Sequence, residues 1–294
     1  MKVGFIGLGV MGRPMAKRLL DAGNELFISR VKSPSEFLVD AGATACANPR
    51  EVAEAADIVI VMVPRTEDVE QVLFGADGAA EGLRPGSLLI DMSSISPVAT
   101  REFAERIRGG GTSYVDAPVS GGDVGALAGT LSIMAGGEAE DFERARPLFD
   151  VLGANINLVG DVGAGQTTKV ANQIIVAGTI QAVAEALILA EAAGADPAKV
   201  RAAISGGFAS SKVLEVHGQR MIDEAFEPGF RIRLHHKDLE IAMSAAEALS
   251  VELPATRQME QLMASAMHSG LGDLDHSALF AQLRGSQAAD SGAP

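Results

Sequence analysis

A chain of 294 residues, with 47% hydrophobic residues, 33 glycines and 4% aromatics, is long enough to bury two cores, and its composition excludes a disordered or fibrous chain. The formal net charge of -14, with no cluster of lysine and arginine among aromatics, excludes nucleic acid as the expected partner. A small anionic substrate held by a few cations inside a cleft stays compatible with that charge.

The single cysteine, Cys46, forms no internal disulfide, and no Cys/His spacing matches a zinc site, so no metal is expected. The apolar residues 3–11 are broken by three glycines and followed by Arg13 and Lys17, unlike a secretory segment. No other run reads as a convincing membrane span, and the expectation is a cytoplasmic protein without membrane partners.

Up to about residue 160, short Val/Ile/Leu-rich runs alternate with amphipathic ones. Strands are predicted at residues 3–6, 26–29, 58–63, 88–91 and 114–119. Helix starts are marked by Ser33-Pro34-Ser35-Glu36 and Asn48-Pro49-Arg50-Glu51, each a cap residue followed by proline and then glutamate, and by Ser96-Pro97. This is the pattern of an α/β fold with a doubly wound, Rossmann-type sheet.

After Gly165 the pattern changes. Residues 166–193 hold no proline and one interior glycine, Gly178, which predicts a single long helix; Pro197, Pro228 and Pro254 divide the remainder into further helices. Residues 290–294 are expected to fray. The chain is therefore divided into a dinucleotide-binding domain, 1–162, and an all-α substrate and oligomerisation domain, 163–294. Ala, Leu and Ile lie on more than one face of the helical half, so a homo-oligomer, dimer or tetramer, is expected. Packing against the first domain is the alternative use of that surface.

Gly7-Leu8-Gly9-Val10-Met11-Gly12 follows the first strand and opens the first helix. Gly7 permits a tight turn, Gly9 lets the backbone approach a pyrophosphate, and Gly12 allows helix and strand to pack closely. At the end of the second strand an acid would serve a free ribose 2′-hydroxyl, yet the chain gives Ser29-Arg30-Val31-Lys32. A hydroxyl and two cations suit a 2′-phosphate, so NADP is expected over NAD, with NAD possible. The plain alternative is a solvated basic loop.

Ser120-Gly121-Gly122, after the predicted strand 114–119, exposes backbone amides beside a hydroxyl, a set suited to a carboxylate. Lys169 and Asn172 lie three residues apart near the start of the long helix and share a face. A reduced carbonyl needs a proton donor, and the reverse reaction a base; one lysine serves both.

The motifs at 7–15 (GLGVMGRPM), 116–122 (DAPVSGG) and 165–172 (GQTTKVAN), with Lys237-Asp238-Leu239, together resemble the β-hydroxyacid dehydrogenase family over nearly the whole chain. The resemblance implies Lys169 as general acid and base, Asn172 as a substrate-orienting residue, and Ser120, Gly121 and Gly122 as the substrate motif. It also implies cofactor contacts at Val63, Pro64, Ser94 and Lys237, the last closing over the dinucleotide from the second domain. The stretches 91–95, 228–239 and 271–279 look most like the tartronate semialdehyde reductases of that family. Reduction of a small carboxylate-bearing aldehyde, 2-hydroxy-3-oxopropanoate to glycerate, is thus implied. 3-Hydroxyisobutyrate dehydrogenase or glyoxylate and succinic semialdehyde reductase chemistry is the second reading, and a non-catalytic dinucleotide-binding protein a third of another class. Of the five histidines, His235 and His236 are adjacent and point apart, and His217, His268 and His276 lack the spacing of a metal face; all are expected to be packed or solvated.

Overall fold

The computed structural model describes residues 1–290, and it separates into two compact units that part between Lys169 and Val170. The first is built on a sheet of strands β1 (Lys2–Ile6), β2 (Glu25–Ser29), β3 (Thr44–Cys46), β4 (Ile58–Val61), β5 (Leu88–Asp91), β6 (Ser113–Asp116), β7 (Val119–Ser120), β8 (Leu131–Gly136) and β9 (Gly153–Gly160). Between them run α1 (Gly12–Asp21), α2 (Glu36–Asp40), α3 (Pro49–Ala55), α4 (Thr66–Phe74), α5 (Ala79–Gly82), α6 (Pro97–Arg108), α7 (Gly122–Ala128) and α8 (Ala139–Leu152).

The strand order β3-β2-β1-β4-β5-β6 is parallel throughout and is that of a doubly wound dinucleotide fold. β8 then runs antiparallel to β6 and β7, and β9 pairs β8 in parallel. Successive strand residues face opposite sides, and both sides are covered. Phe5, Ile28, Ile60 and Ile90 pack against Met15 and Leu19 of α1 and Phe149 of α8. Val59, Val61 and Leu89 pack against Val52, Val69, Leu73 and Phe103 on the other side. Truncating a fully buried residue such as Ile60 to alanine removes about 2–5 kcal/mol.

Caps follow the sequence at two of three predicted helix starts. Asn48 accepts from the Glu51 amide at 2.9 Å, and Ser96 accepts from Ala99 at 3.4 Å. Ser33 does not cap a helix. Residues Ser33–Ser35 form a 3-10 turn, closed by Ser35, whose hydroxyl takes the Lys32 amide at 3.0 Å, and α2 begins only at Glu36.

The predicted strand 114–119 is broken in two. Pro118 has no amide to give a ladder, so β6 ends at Asp116 and the chain resumes as β7, antiparallel to β8. The predicted strand 58–63 ends at Val61. β3, β8 and β9 were not anticipated.

The long helix, α9 (Ala164–Ala192), matches the prediction closely; the expected boundary at 162/163 falls before its first turn, while the compact units part inside it. By length and composition alone α9 is apolar enough to cross a membrane. In the second unit its Ala177, Ile180, Ala184 and Leu187 are buried in two cores. Around it stand α10 (Pro197–Ile204), α11 (Lys212–Ile222), α12 (Ile232–Ala248), α13 (Pro254–His268), a 3-10 turn (His276–Ala278) and α14 (Leu279–Asp290). Pro197 and Pro254 open their helices, whereas Pro228 lies in the loop before α12. Of the expected frayed tail, 291–294 lies outside the described residues.

Candidate active site

Each glycine of the first turn meets a different constraint. Gly7 has φ +107°, and a Cβ there would stand 2.1 Å from the Met62 carbonyl oxygen. A Cβ on Gly12 would stand 1.8 Å from the Gly7 carbonyl oxygen and 3.1 Å from the Phe5 ring, so β1 and α1 touch through it. At Gly9 a Cβ would meet nothing within 4 Å. Val10 is exposed beside it, and Leu8 and Met11 pack partly on the core. No side chain caps α1 and no acid stands in its first turn, so the positive end of its dipole faces outward uncompensated. The turn fits a pyrophosphate.

At the end of β2, Ser29 is buried and its hydroxyl has no hydrogen-bond partner. Arg30 is exposed and left-handed, φ +54°, a conformation that costs an arginine on the order of 1–3 kcal/mol. Lys32 is exposed at the start of the 3-10 turn. The hydroxyl and both cations therefore follow one another around the outer end of β2.

The carboxyl ends of β4, β5 and β6 and the first turn of α9 form one hydrogen-bonded body. The Val63 amide donates to the Ser93 hydroxyl at 3.0 Å, and the Ser93 amide to Asp91 at 3.0 Å. The Gln166 side chain donates to the Ser93 carbonyl at 2.7 Å and accepts from the Ile95 amide at 3.1 Å. Asp116 accepts from the Gly163 and Gln166 amides at 2.7 and 2.8 Å. Val63 also lies beside Gly7, where a Cβ would approach its side chain to 2.9 Å. Pro64 is exposed and Ser94 half-buried in the same two loops. Lys169 stands one turn beyond Gln166 and is 8% exposed, a nearly buried residue.

Two acids here are perturbed. Burial pushes Asp91 up to about 7 against the hydrogen bonds from Ser93, and Tyr114 donates to its other oxygen at 3.2 Å. Burial likewise raises Asp116 to about 6, although the amides of Gly163 and Gln166 favour its charge.

Ser120, Gly121 and Gly122 do not follow a parallel strand as expected: Ser120 ends β7, which is antiparallel to β8, and Gly121 and Gly122 lead into α7. Gly121 and Gly122 are both left-handed, φ +136° and +63°, and a Cβ on Gly122 would meet nothing within 4 Å. The turn thus presents bare backbone.

Asn172 and Lys237 belong to the second unit and are linked there. Asn172 donates to the Gln173 side chain at 2.8 Å, Gln173 donates to Asp238 at 2.5 Å, and Lys237 pairs with Asp238 at 3.0 Å. Gln173 and Asp238 were missed by sequence reasoning, as were Asp91, Asp116 and Gln166. A sequence signal existed for two of them: Asp91 closes an otherwise buried apolar strand, and Asp116 follows buried Tyr114 and Val115.

Three of the histidines, expected to be packed or solvated without metal-face spacing, pack against one another. His235 meets His276 at 2.9 Å between their Nδ1 atoms, and His276 meets His217 at 3.2 Å between their Nε2 atoms. They come from α11, α12 and the turn before α14, so no spacing along one helix reveals them. His217, Asp275 and His276 offer ligating atoms within 4.8 Å of one another, with the Arg220 guanidinium already on Asp275 at 3.0 Å. Burial and then the charge of His235 hold the His276 imidazole well below its ordinary range.

Residues 2–160 match the family described as the NAD binding domain of 6-phosphogluconate dehydrogenase, and 163–283 that described as the NAD-binding part of NADP-dependent 3-hydroxyisobutyrate dehydrogenase. The chain is 52% identical over 283 residues to 2-hydroxy-3-oxopropionate reductase of Escherichia coli (strain K12), covering 96% of this chain and 97% of that one. It is 38% identical to 2-(hydroxymethyl)glutarate dehydrogenase of Eubacterium barkeri, covering 95% and 94%. The crystal structure of 3-hydroxyisobutyrate dehydrogenase from Salmonella typhimurium superposes with a TM-score of 0.85 at 32% identity, covering 95% of this chain and 98% of that one.

Proposed function

The chain belongs to the β-hydroxyacid dehydrogenase family, of the 3-hydroxyisobutyrate dehydrogenase-like type, and is an NAD(P)-dependent oxidoreductase; from that premise we propose that it reduces tartronate semialdehyde to glycerate with Lys169 passing the proton. When bound, the nicotinamide dinucleotide supplies the hydride. The carbonyl oxygen then takes a proton from the Lys169 ammonium, whose charge also stabilises the developing alkoxide. In the oxidative direction the neutral amine removes that proton.

Substrate carboxylate is assigned to the amides and hydroxyl of Ser120, Gly121 and Gly122, and substrate orientation to Asn172. Residues Gly7 to Gly12 receive the pyrophosphate, and Val63, Pro64 and Ser94 flank the nicotinamide half. Lys237 adds a cationic contact. Ser29, Arg30 and Lys32 favour NADP, because two cations and an unpartnered hydroxyl suit a 2′-phosphate and no acid is there to repel it. The observation that carries the reading is the nearly buried Lys169 on a helix turn bonded to the loop after β5.

Similarity to the E. coli reductase supports tartronate semialdehyde over 3-hydroxyisobutyrate, glyoxylate or succinic semialdehyde. The test is a steady-state comparison of these four compounds with both cofactors. Highest kcat/KM for tartronate semialdehyde with NADPH supports the proposal. A better rate with another acid replaces the substrate, and binding without turnover of any compound leaves a dinucleotide sensor. A homo-oligomer is part of the proposal, supported by Ile175 and Leu189 of α9, which are 67% and 71% exposed.

A further inference from the structure

Among the buried groups that the proposed chemistry leaves unused, the carboxylate ending β6 is tied to the first turn of the catalytic helix. Asp116 is wholly buried, and both its oxygens are spent on the start of α9, Oδ1 on the Gly163 amide and Oδ2 on the Gln166 amide. The surrounding chain is cut close to allow this. A Cβ on Gly165 would stand 2.4 Å from the Met134 carbonyl and 2.8 Å from Asp116 Oδ2, and one on Gly136 would stand 2.7 Å from Oδ1.

We propose that Asp116 is a positioning residue for Lys169, capping α9 from the end of β6 and so fixing the turn on which the amine stands. The inference rests on the assignment of Lys169 as proton donor. A helix begins with amides that lack intrahelical partners, and a carboxylate satisfies them best because its charge also meets the helix dipole. Lys169 lies three residues past Gln166, so a shift of the first turn passes directly to the amine. Misplacement of a reacting group by about 1 Å costs on the order of 100-fold in rate. An asparagine at 116, or a protonated acid, turns a donor toward one of the two amides and breaks that bond.

The groups that face Asp116 are Asp91 at the end of β5, Tyr114 on its own strand and Arg101 of α6. With its carboxyl raised to about 6 by burial, against the two amides and Arg101, it carries its charge at neutral pH and loses it in mild acid.

The experiment compares Asp116→Asn with the wild-type enzyme, using NADPH and the best aldehyde acid of the substrate panel. We expect kcat to fall about 100-fold, NADPH affinity to be retained, and hydrogen exchange of the amides at 163–167 to quicken. Unchanged kcat with quickened exchange overturns the positioning role. Full turnover by Lys169→Ala would instead remove Lys169 as the proton donor on which the inference rests, so the two failures are distinguishable. Should Asp116→Asn not fold, the wild-type enzyme decides: the carbon-13 titration of the Asp116 carboxyl and the acid-side loss of kcat share one midpoint, and a kcat that is flat through that midpoint overturns the inference.

Discussion

Gln166 donates from its side-chain amide to the main-chain oxygen of Ser93 at 2.7 Å, which ties the turn before Lys169 to the loop beside the expected nicotinamide position. The same side chain accepts from Ile95. Gln166→Leu leaves a buried amide and a buried carbonyl unpaired, at about 1–3 kcal/mol each. Urea unfolding should show a loss of about 2–6 kcal/mol, with kcat reduced more than NADPH affinity. Unaltered stability would mean that this tie is not formed.

The glycine turn separates binding from folding. Gly9→Ala places its methyl in open space, so thermal stability should hold while NADPH affinity falls, because the methyl occupies the face that the pyrophosphate approaches. Gly12→Ala drives a methyl into the Gly7 carbonyl and should lose both. Calorimetric melting with NADPH titration checks the pair, and retained affinity in Gly9→Ala would contradict the assigned pyrophosphate position.

Much of this was legible in the sequence, and the limits have physical causes. β1, β2, β4 and β5 read clearly because strands covered on both faces are continuous apolar runs. β9 carries Asn155 and Asn157 and is largely exposed, and its register with β8 shifts twice, so no pattern marked it. Gly7, Gly9 and Gly12 were interpretable because each acts through its own backbone. Asp116, Gln166 and Gln173 act through partners 47 to 73 residues away, which only the fold brings near. The same holds for His217, His235 and His276.

Asp91 gives the protein a pH dependence. Folding raises its carboxyl from 3.8 to about 7, so the folded chain holds this proton more tightly than the unfolded one. Its contribution to stability is complete below about pH 4 and is lost as pH rises through about 7. Asp91→Asn keeps an acceptor for Ser93 and removes the buried charge. The variant should exceed wild type by on the order of 1–3 kcal/mol near pH 8 and lose that advantage near pH 5. Denaturant curves at the two pH values check it; a variant less stable than wild type near pH 8 contradicts it.

Cofactor choice is tested at Ser29. Ser29→Asp puts a carboxylate where a 2′-phosphate would lie and where a 2′-hydroxyl would welcome it. The NADPH/NADH ratio of kcat/KM should fall by about 10-fold or more. A ratio that does not move places the discriminating contact elsewhere.

The account stands on the amine at 169, and single-turnover reduction by Lys169→Ala, with NADPH binding measured in parallel, tests it most directly. Hydride transfer to the best aldehyde acid should slow by about 100- to 10,000-fold while the dinucleotide binds as in wild type. Hydride transfer at the wild-type rate in that variant would contradict the assignment.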